Sequence, residues 1–216
     1  MFLLGLTGNI ACGKSTVAQM LVERGAARLD ADLLVRELYA DPKFARRVAA
    51  LFPQHCARLL TPEGEVNRRA LGEIVFCDGA ALEKLEALTH PAVIVLQEEK
   101  LRELAARKPA PSLVVVEAVK LIESGQDARF DAIWCVICEP QMQLGRLMQT
   151  RGLSEDEARR RLEHQPDLES KRRRIEESTA ARSSTPFIII ANDFGRDELE
   201  RTIEKQWKAL SFKKQT

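Results

Sequence analysis

A chain of 216 residues has room for one domain, or for one core with an inserted lobe, and for a good hydrophobic interior. Its 33 Lys and Arg stand against 32 Asp and Glu, so the formal charge is +1, which argues against a dedicated nucleic-acid binder. No apolar run approaches the ~20 residues of a membrane span, and the first residues lack the basic lead and apolar core of a signal peptide. Five cysteines without framework spacing suit a reducing compartment, so a cytoplasmic protein with no membrane partner is expected.

The apolar run Phe2-Leu3-Leu4-Gly5-Leu6 reads as a buried strand. Next come Gly8-Asn9-Ile10-Ala11-Cys12-Gly13-Lys14-Ser15 and Thr16, the G-x-x-x-x-G-K-[ST] form of a phosphate-binding loop. Val17, Ala18, Met20, Leu21 and Val22 then recur at roughly helical spacing, which completes strand, loop and helix. In such a loop glycines allow a tight turn whose N–H groups face phosphate oxygens, and the helix start adds free donors and partial positive charge. Lys14 is expected on the β- and γ-phosphates and the Ser15 hydroxyl on Mg²⁺, so the chain is expected to bind a nucleoside triphosphate.

Gly25 to Leu29 leads into Asp30-Ala31-Asp32, read as a short strand ending in acids at the carboxyl edge of a parallel sheet, where ligands of open α/β sheets bind. Period 2 puts both acids on one side, and helix capping is the alternative use for either. From about Pro42 to Lys108 the pattern is helical throughout. One helix opens at Arg68-Arg69, a second covers Ala80 to Leu88, and Thr89-His90-Pro91 forms a joint to a third over 92–107. Such a block between two strands reads as an inserted acceptor lobe. His90 suits either a structural hydrogen bond or a site, and Arg69 either a solvated face or a site.

Ser112-Leu113-Val114-Val115-Val116-Glu117 has the β-branched run of a buried parallel strand, with Glu117 facing the metal edge. Ala132 to Ile137 is another strand. It carries Cys135, and the Cys135/Cys138 pair points to opposite faces, so buried thiols rather than a metal or redox pair are expected. The following helix bears Arg146 and Arg151. Gly152-Leu153-Ser154 then opens a second Arg-rich helix with a Ser154/Glu157 capping box, and together the two make a lid whose guanidinium groups can neutralise phosphate charge. Lys171 to Thr185 is charged and Ser/Thr-rich, and a mobile segment is expected there. Pro186 to Ala191 is the last strand, Asn192 to Gly195 a turn, and 196–210 a closing helix.

These residues resemble the bacterial-type dephospho-coenzyme A kinase family over nearly the whole chain. The resemblance is carried by Gly5-Leu6-Thr7-Gly8 with the loop, Asp30-Ala31-Asp32, Asn67 to Phe76, Leu88-Thr89-His90-Pro91, Leu121-Ile122-Glu123, Gln143 to Met148 and Gly152-Leu153-Ser154. It implies a P-loop kinase: an α/β, three-layer fold with a parallel core sheet, a helical acceptor lobe and a small helical lid. One domain over 1–216 is expected, with core 1–40, 110–150 and 186–210, lobe about 41–108 and lid about 151–175. Sheet order does not follow from these patterns.

The implied reaction is transfer of the ATP γ-phosphate to the ribose 3′-hydroxyl of dephospho-CoA, completing coenzyme A. Asp32 matches the family's general base, with Lys14 and Arg146 as charge-neutralising partners. ATP falls to residues 8–16, Arg146, Arg151 and Asn192, the acceptor to Asp32, Arg69, His90 and Glu123, and Mg²⁺ to Ser15 and Glu117. A monomer or weak homo-oligomer is expected. Val119 and Lys120 stand where the family usually has proline and leucine, which motivates an alternative small hydroxyl acceptor such as a nucleoside or nucleotide. A non-catalytic ATP-binding regulator is the alternative from another class.

Overall fold

The computed structural model describes residues 1–122, 124, 125, 127–163, 165, 169, 170, 173, 177 and 185–210. The expected mobile stretch from Lys171 to Thr185 therefore falls almost wholly outside the described residues, as does Glu123. Strands β1 (Phe2–Gly8), β2 (Ala27–Asp30), β3 (Leu113–Glu117), β4 (Ala132–Ile137) and β5 (Phe187–Ala191) form one sheet in the order β2-β3-β1-β4-β5. β1 is central and runs parallel to both neighbours, with Leu6 beside Glu117 and Gly8 beside Val136. β5 continues the sheet in parallel from β4. Buried on both faces, β3 as far as Val116 and the whole of β4 read as continuous apolar runs because no residue on them needs to face water.

This order has a functional consequence. The connection leaving β1 runs to β2 on one side, and that leaving β4 runs to β5 on the other. Their divergence opens a crevice at the carboxyl ends of β1 and β4, the place where open α/β sheets bind ligands. Helix α1 (Lys14–Glu23) starts there, and its Val17 and Leu21 pack with Leu4, Leu113, Trp134 and Ile190 of the sheet.

Contacts divide the chain into two units, one of residues 1–29 and 104–216 holding most of the sheet, the other of Asp30–Glu103. The second unit comprises α2 (Ala31–Ala40), α3 (Pro42–Ala50), α4 (Cys56–Leu59), α5 (Arg68–Val75) and most of α6 (Gly79–Ala105). It has a core of its own in which Tyr39, Phe44, Val48, Leu59, Leu71 and Leu85 are buried. Burial holds the Tyr39 phenol above its ordinary range, against a weak bond between its hydroxyl and that of Thr89 and the nearby Arg68 charge.

Three expectations change here. The helices placed over 80–88 and 92–107 are one helix, α6, that runs through Pro91. Ala81, Leu85, Thr89, Val93 and Gln97, each four residues on, form an unbroken buried stripe, while Pro91 lies exposed. Packing along the stripe carries the helix past the one backbone bond that proline removes. The lobe is also not helical throughout: Leu60 bridges Val66 in antiparallel fashion around a Thr61-Pro62-Glu63-Gly64 turn. Finally, β2 ends at Asp30, whose Oδ1 accepts from the amides of Asp32 and Leu33 as the N-cap of α2. Asp32 thus stands in the first helical turn, where strand period 2 no longer applies.

The two Arg-rich helices follow β4 as α7 (Pro140–Arg151) and α8 (Glu155–Glu163), joined through Gly152. Ser154 and Glu157 make the expected capping box, and these bonds hold the Glu157 carboxyl below its ordinary range. Helix α9 (Arg196–Ala209) closes the described chain. No helix among the described residues is long and apolar enough to cross a membrane.

Candidate active site

Between β1 and α1 the backbone makes a tight turn. Gly8, Ala11 and Gly13 all take positive φ, 144°, 58° and 99°. Ala11 is the one described non-glycine residue in this region, and it bears the left-handed strain that a glycine would avoid. Gly13 is needed for a second reason: a Cβ there would lie 2.2 Å from the Asn192 Nδ2. That amide donates to the Cys12 carbonyl over 2.8 Å, and Asn192 is itself buried.

Arg146 of α7 fastens the same side of the loop. Its Nη1 donates to the carbonyls of Ala11 and Cys12 at 3.3 Å each, and its Nη2 to the Asn192 carbonyl at 3.0 Å. The guanidinium also reaches the Cys138 sulfur at 3.4 Å. Burial pushes that thiol up to about 11, more than the Arg146 charge lowers it. Gln165, beyond α8, accepts from the Ile10 amide at 2.8 Å. The Ala11 and Cys12 carbonyls are thus held by fixed donors.

The inward side is left to donors. No side chain caps α1, and the first intrahelical amide bond is that of Val17 to Gly13. The amides of Lys14, Ser15 and Thr16 have no partner within the helix, so the turn presents N–H groups and the positive end of the helix dipole. Lys14 Nζ folds over the loop and donates to the carbonyls of Gly8 at 2.9 Å and Asn9 at 3.1 Å. Its ammonium therefore stands at the loop mouth.

Ser15 Oγ donates to Glu117 Oε1 at 2.9 Å, and Arg28 Nη2 of β2 donates to the other oxygen at 2.6 Å. Thr7 Oγ1 ties the chain just after β3 back to the loop strand by donating to the Val119 carbonyl at 3.1 Å. Hydroxyl and carboxylate are hard oxygen donors of the kind that suit Mg²⁺. Among the described residues no group of three or more His, Cys, Asp or Glu side chains could hold a metal ion. A cation here would draw its remaining ligands from phosphate and water, as Mg²⁺ commonly does.

The sheet unit therefore brings together residues 8–16, Glu117, Arg146 and Asn192. Thr16 is exposed on the first turn of α1, and Arg151 is exposed at the end of α7. In the helical unit, Asp32 occupies the start of α2 and His90 is half-buried on α6. Arg69 is 93% exposed and pairs with Glu73 one turn away on α5 at 3.7 Å. Arg28, Gln165 and Cys138 were not selected as site residues by the sequence patterns. A lone arginine in a strand, a glutamine after a helix and a thiol past a strand end carry no spacing signal.

Comparison with known proteins bears on the family of the chain. The family model described as dephospho-CoA kinase matches residues 2–184. A dephospho-CoA kinase of Geobacter sulfurreducens is 40% identical over 208 residues, covering 96% of this chain and 98% of that one. One from Moorella thermoacetica is 41% identical over 212 residues, 97% of this chain and 92% of its own. Among solved structures, a Thermus thermophilus protein superposes with a TM-score of 0.76 at 31% identity, covering 97% of this chain and 98% of its own. The dephospho-CoA kinase from Campylobacter jejuni gives 0.64 at 26% identity, with 97% and 96% covered. With a P-loop core, a parallel sheet in this order and a family match along most of its length, the chain belongs to the dephospho-CoA kinase family.

Proposed function

We propose that this protein transfers the γ-phosphoryl group of ATP to the ribose 3′-hydroxyl of dephospho-CoA, giving coenzyme A. The observation that carries this reading is the loop mouth, where the uncapped start of α1, the Lys14 ammonium and the Ser15–Glu117 pair meet. Loop amides and Lys14 bind the triphosphate. The ammonium exchanges the carbonyls of Gly8 and Asn9 for β- and γ-phosphate oxygens, which moves its charge to where charge is transferred.

Ser15 and Glu117 would hold Mg²⁺, which when bound neutralises charge on the phosphoryl oxygens. Arg146 and Asn192 keep the loop in its curled form, and Arg146 serves the phosphates through that backbone. Asp32, at the head of α2, accepts or orients the acceptor hydroxyl proton; such assistance is worth ~10²–10⁴-fold. Arg69, His90 and Glu123 are the remaining acceptor candidates, and Arg151 a further nucleotide candidate.

Steady-state phosphorylation of dephospho-CoA, measured against a panel of nucleosides and nucleotides, tests the reading. Dephospho-CoA is expected to lead the panel by ~10²-fold or more in kcat/KM. Turnover of a nucleotide with none of dephospho-CoA reassigns the acceptor, and ATP binding without any turnover makes the chain a regulator.

A further inference from the structure

Glu117 is 6% exposed, yet it sits at the mouth of a site built to attract cations and phosphates. A buried carboxylate of this kind needs a compensating partner. Among the described residues it has two, on different elements. Ser15 donates to one oxygen, and Arg28, from the neighbouring strand, donates to the other at 2.6 Å. Only Arg28 brings charge. We propose that Arg28 is the charge-balancing partner of Glu117, and that it keeps the Ser15–Glu117 pair from holding a divalent cation until a polyphosphate delivers one.

The argument is electrostatic. A full positive charge in hydrogen-bond contact with the carboxylate cancels most of the field that a single Glu would present to a free cation. Ser15 adds a neutral oxygen and no charge. With Arg28 in place the pair is too weak a cation site by itself, and the phosphates of a bound nucleotide must supply the missing negative charge. The bond to Oε2 also prevents Glu117 from offering both oxygens to one ion. Arg28 is thus assigned as a positioning residue that acts through its bond to Glu117.

This inference rests on the assignment of Ser15 and Glu117 to the metal, so its test separates the two. Mn²⁺ is used as the probe, with bound and free ion counted by electron paramagnetic resonance on the full chain. With ATP present, wild-type protein is expected to retain Mn²⁺ and the Glu117→Gln variant to retain less; equal retention by both sinks the metal assignment itself. Without nucleotide, Arg28→Gln and Arg28→Met are expected to bind Mn²⁺ about tenfold more tightly than wild type, and Arg28→Lys to stay within about twofold of it. Arg28→Gln keeps an amide donor for Glu117, so a gain there reports charge and not a lost hydrogen bond. The gain should vanish when Glu117→Gln is added. A nucleotide-free gain below about threefold in both variants, or one that survives Glu117→Gln, overturns the role of Arg28.

Discussion

The side-chain amide of Asn192 donates to the carbonyl of Cys12 over 2.8 Å, joining residues 180 positions apart. Loss of that donor leaves the Cys12 carbonyl to the longer bond from Arg146, and a lost hydrogen bond of this kind costs ~0.5–1.5 kcal/mol. Asn192→Ala is expected to raise the ATP dissociation constant about tenfold, read by titration calorimetry. Gly13→Ala should be worse, because its methyl lands on the same amide in a backbone shape that side chains avoid. ATP binding at wild-type strength in Gly13→Ala contradicts the clamp.

Ala11 offers a gain in stability. Its φ of 58° costs ~1–2 kcal/mol relative to glycine, against ~0.4–1 kcal/mol from the greater freedom of an unfolded glycine. Ala11→Gly should therefore raise Tm by roughly 1–3 °C, with ATP affinity within about twofold of wild type. Ala11→Val should lower Tm, since a β-branched residue fits this region least well. A drop in Tm for the glycine variant would show that the loop relaxes around alanine by other means.

Lys14 and Asp32 should separate binding from chemistry. Lys14→Ala is expected to abolish measurable turnover, because it removes the ammonium that folds over the loop onto the Gly8 and Asn9 carbonyls. Asp32→Asn should cut kcat by ~10²-fold or more while ATP affinity stays near wild type. An unchanged kcat in Asp32→Asn removes that residue from the mechanism.

Cys138 makes a prediction in alkali. Its thiol is pushed up to about 11 from an ordinary 9.0, chiefly by burial beside the loop, so the folded protein holds this proton more tightly than the unfolded chain. The preference is fully present below about pH 9 and is lost as pH rises through about 11. Denaturant unfolding across that window should show stability falling, and the fall should be smaller in Cys138→Ala. At neutral pH a thiol reagent should modify the exposed Cys56 and Cys77 well before Cys138. Equal rates for the three would contradict its placement.

The phosphate loop was legible because its residues are consecutive: a strand, four fixed positions within eight and a helix start specify their own geometry almost without help from the rest of the chain. The strands over 113–117 and 132–137 were legible for a related reason, since a run buried on both faces is apolar nearly throughout, and the one exception, Glu117, stands at a strand end. Local pattern failed where packing overrode it. Pro91 looked like a joint, but the buried stripe from Ala81 to Gln97 continues on the opposite side of the helix.

What the chain alone determined, then, was each segment with a local signature: the loop, Lys14, Ser15, the capping box and the acid closing β3. Only the tertiary structure decided the order β2-β3-β1-β4-β5, and with it which distant groups meet the loop. Glu117 reaches Ser15 because β3 lies beside β1, and Arg28 reaches Glu117 because β2 lies beside β3. Asn192 and Arg146 hold the loop from elements that follow β5 and β4. Such pairings depend on crossovers and register, which bring together residues from 89 to 180 positions apart, and no short-range periodicity encodes them.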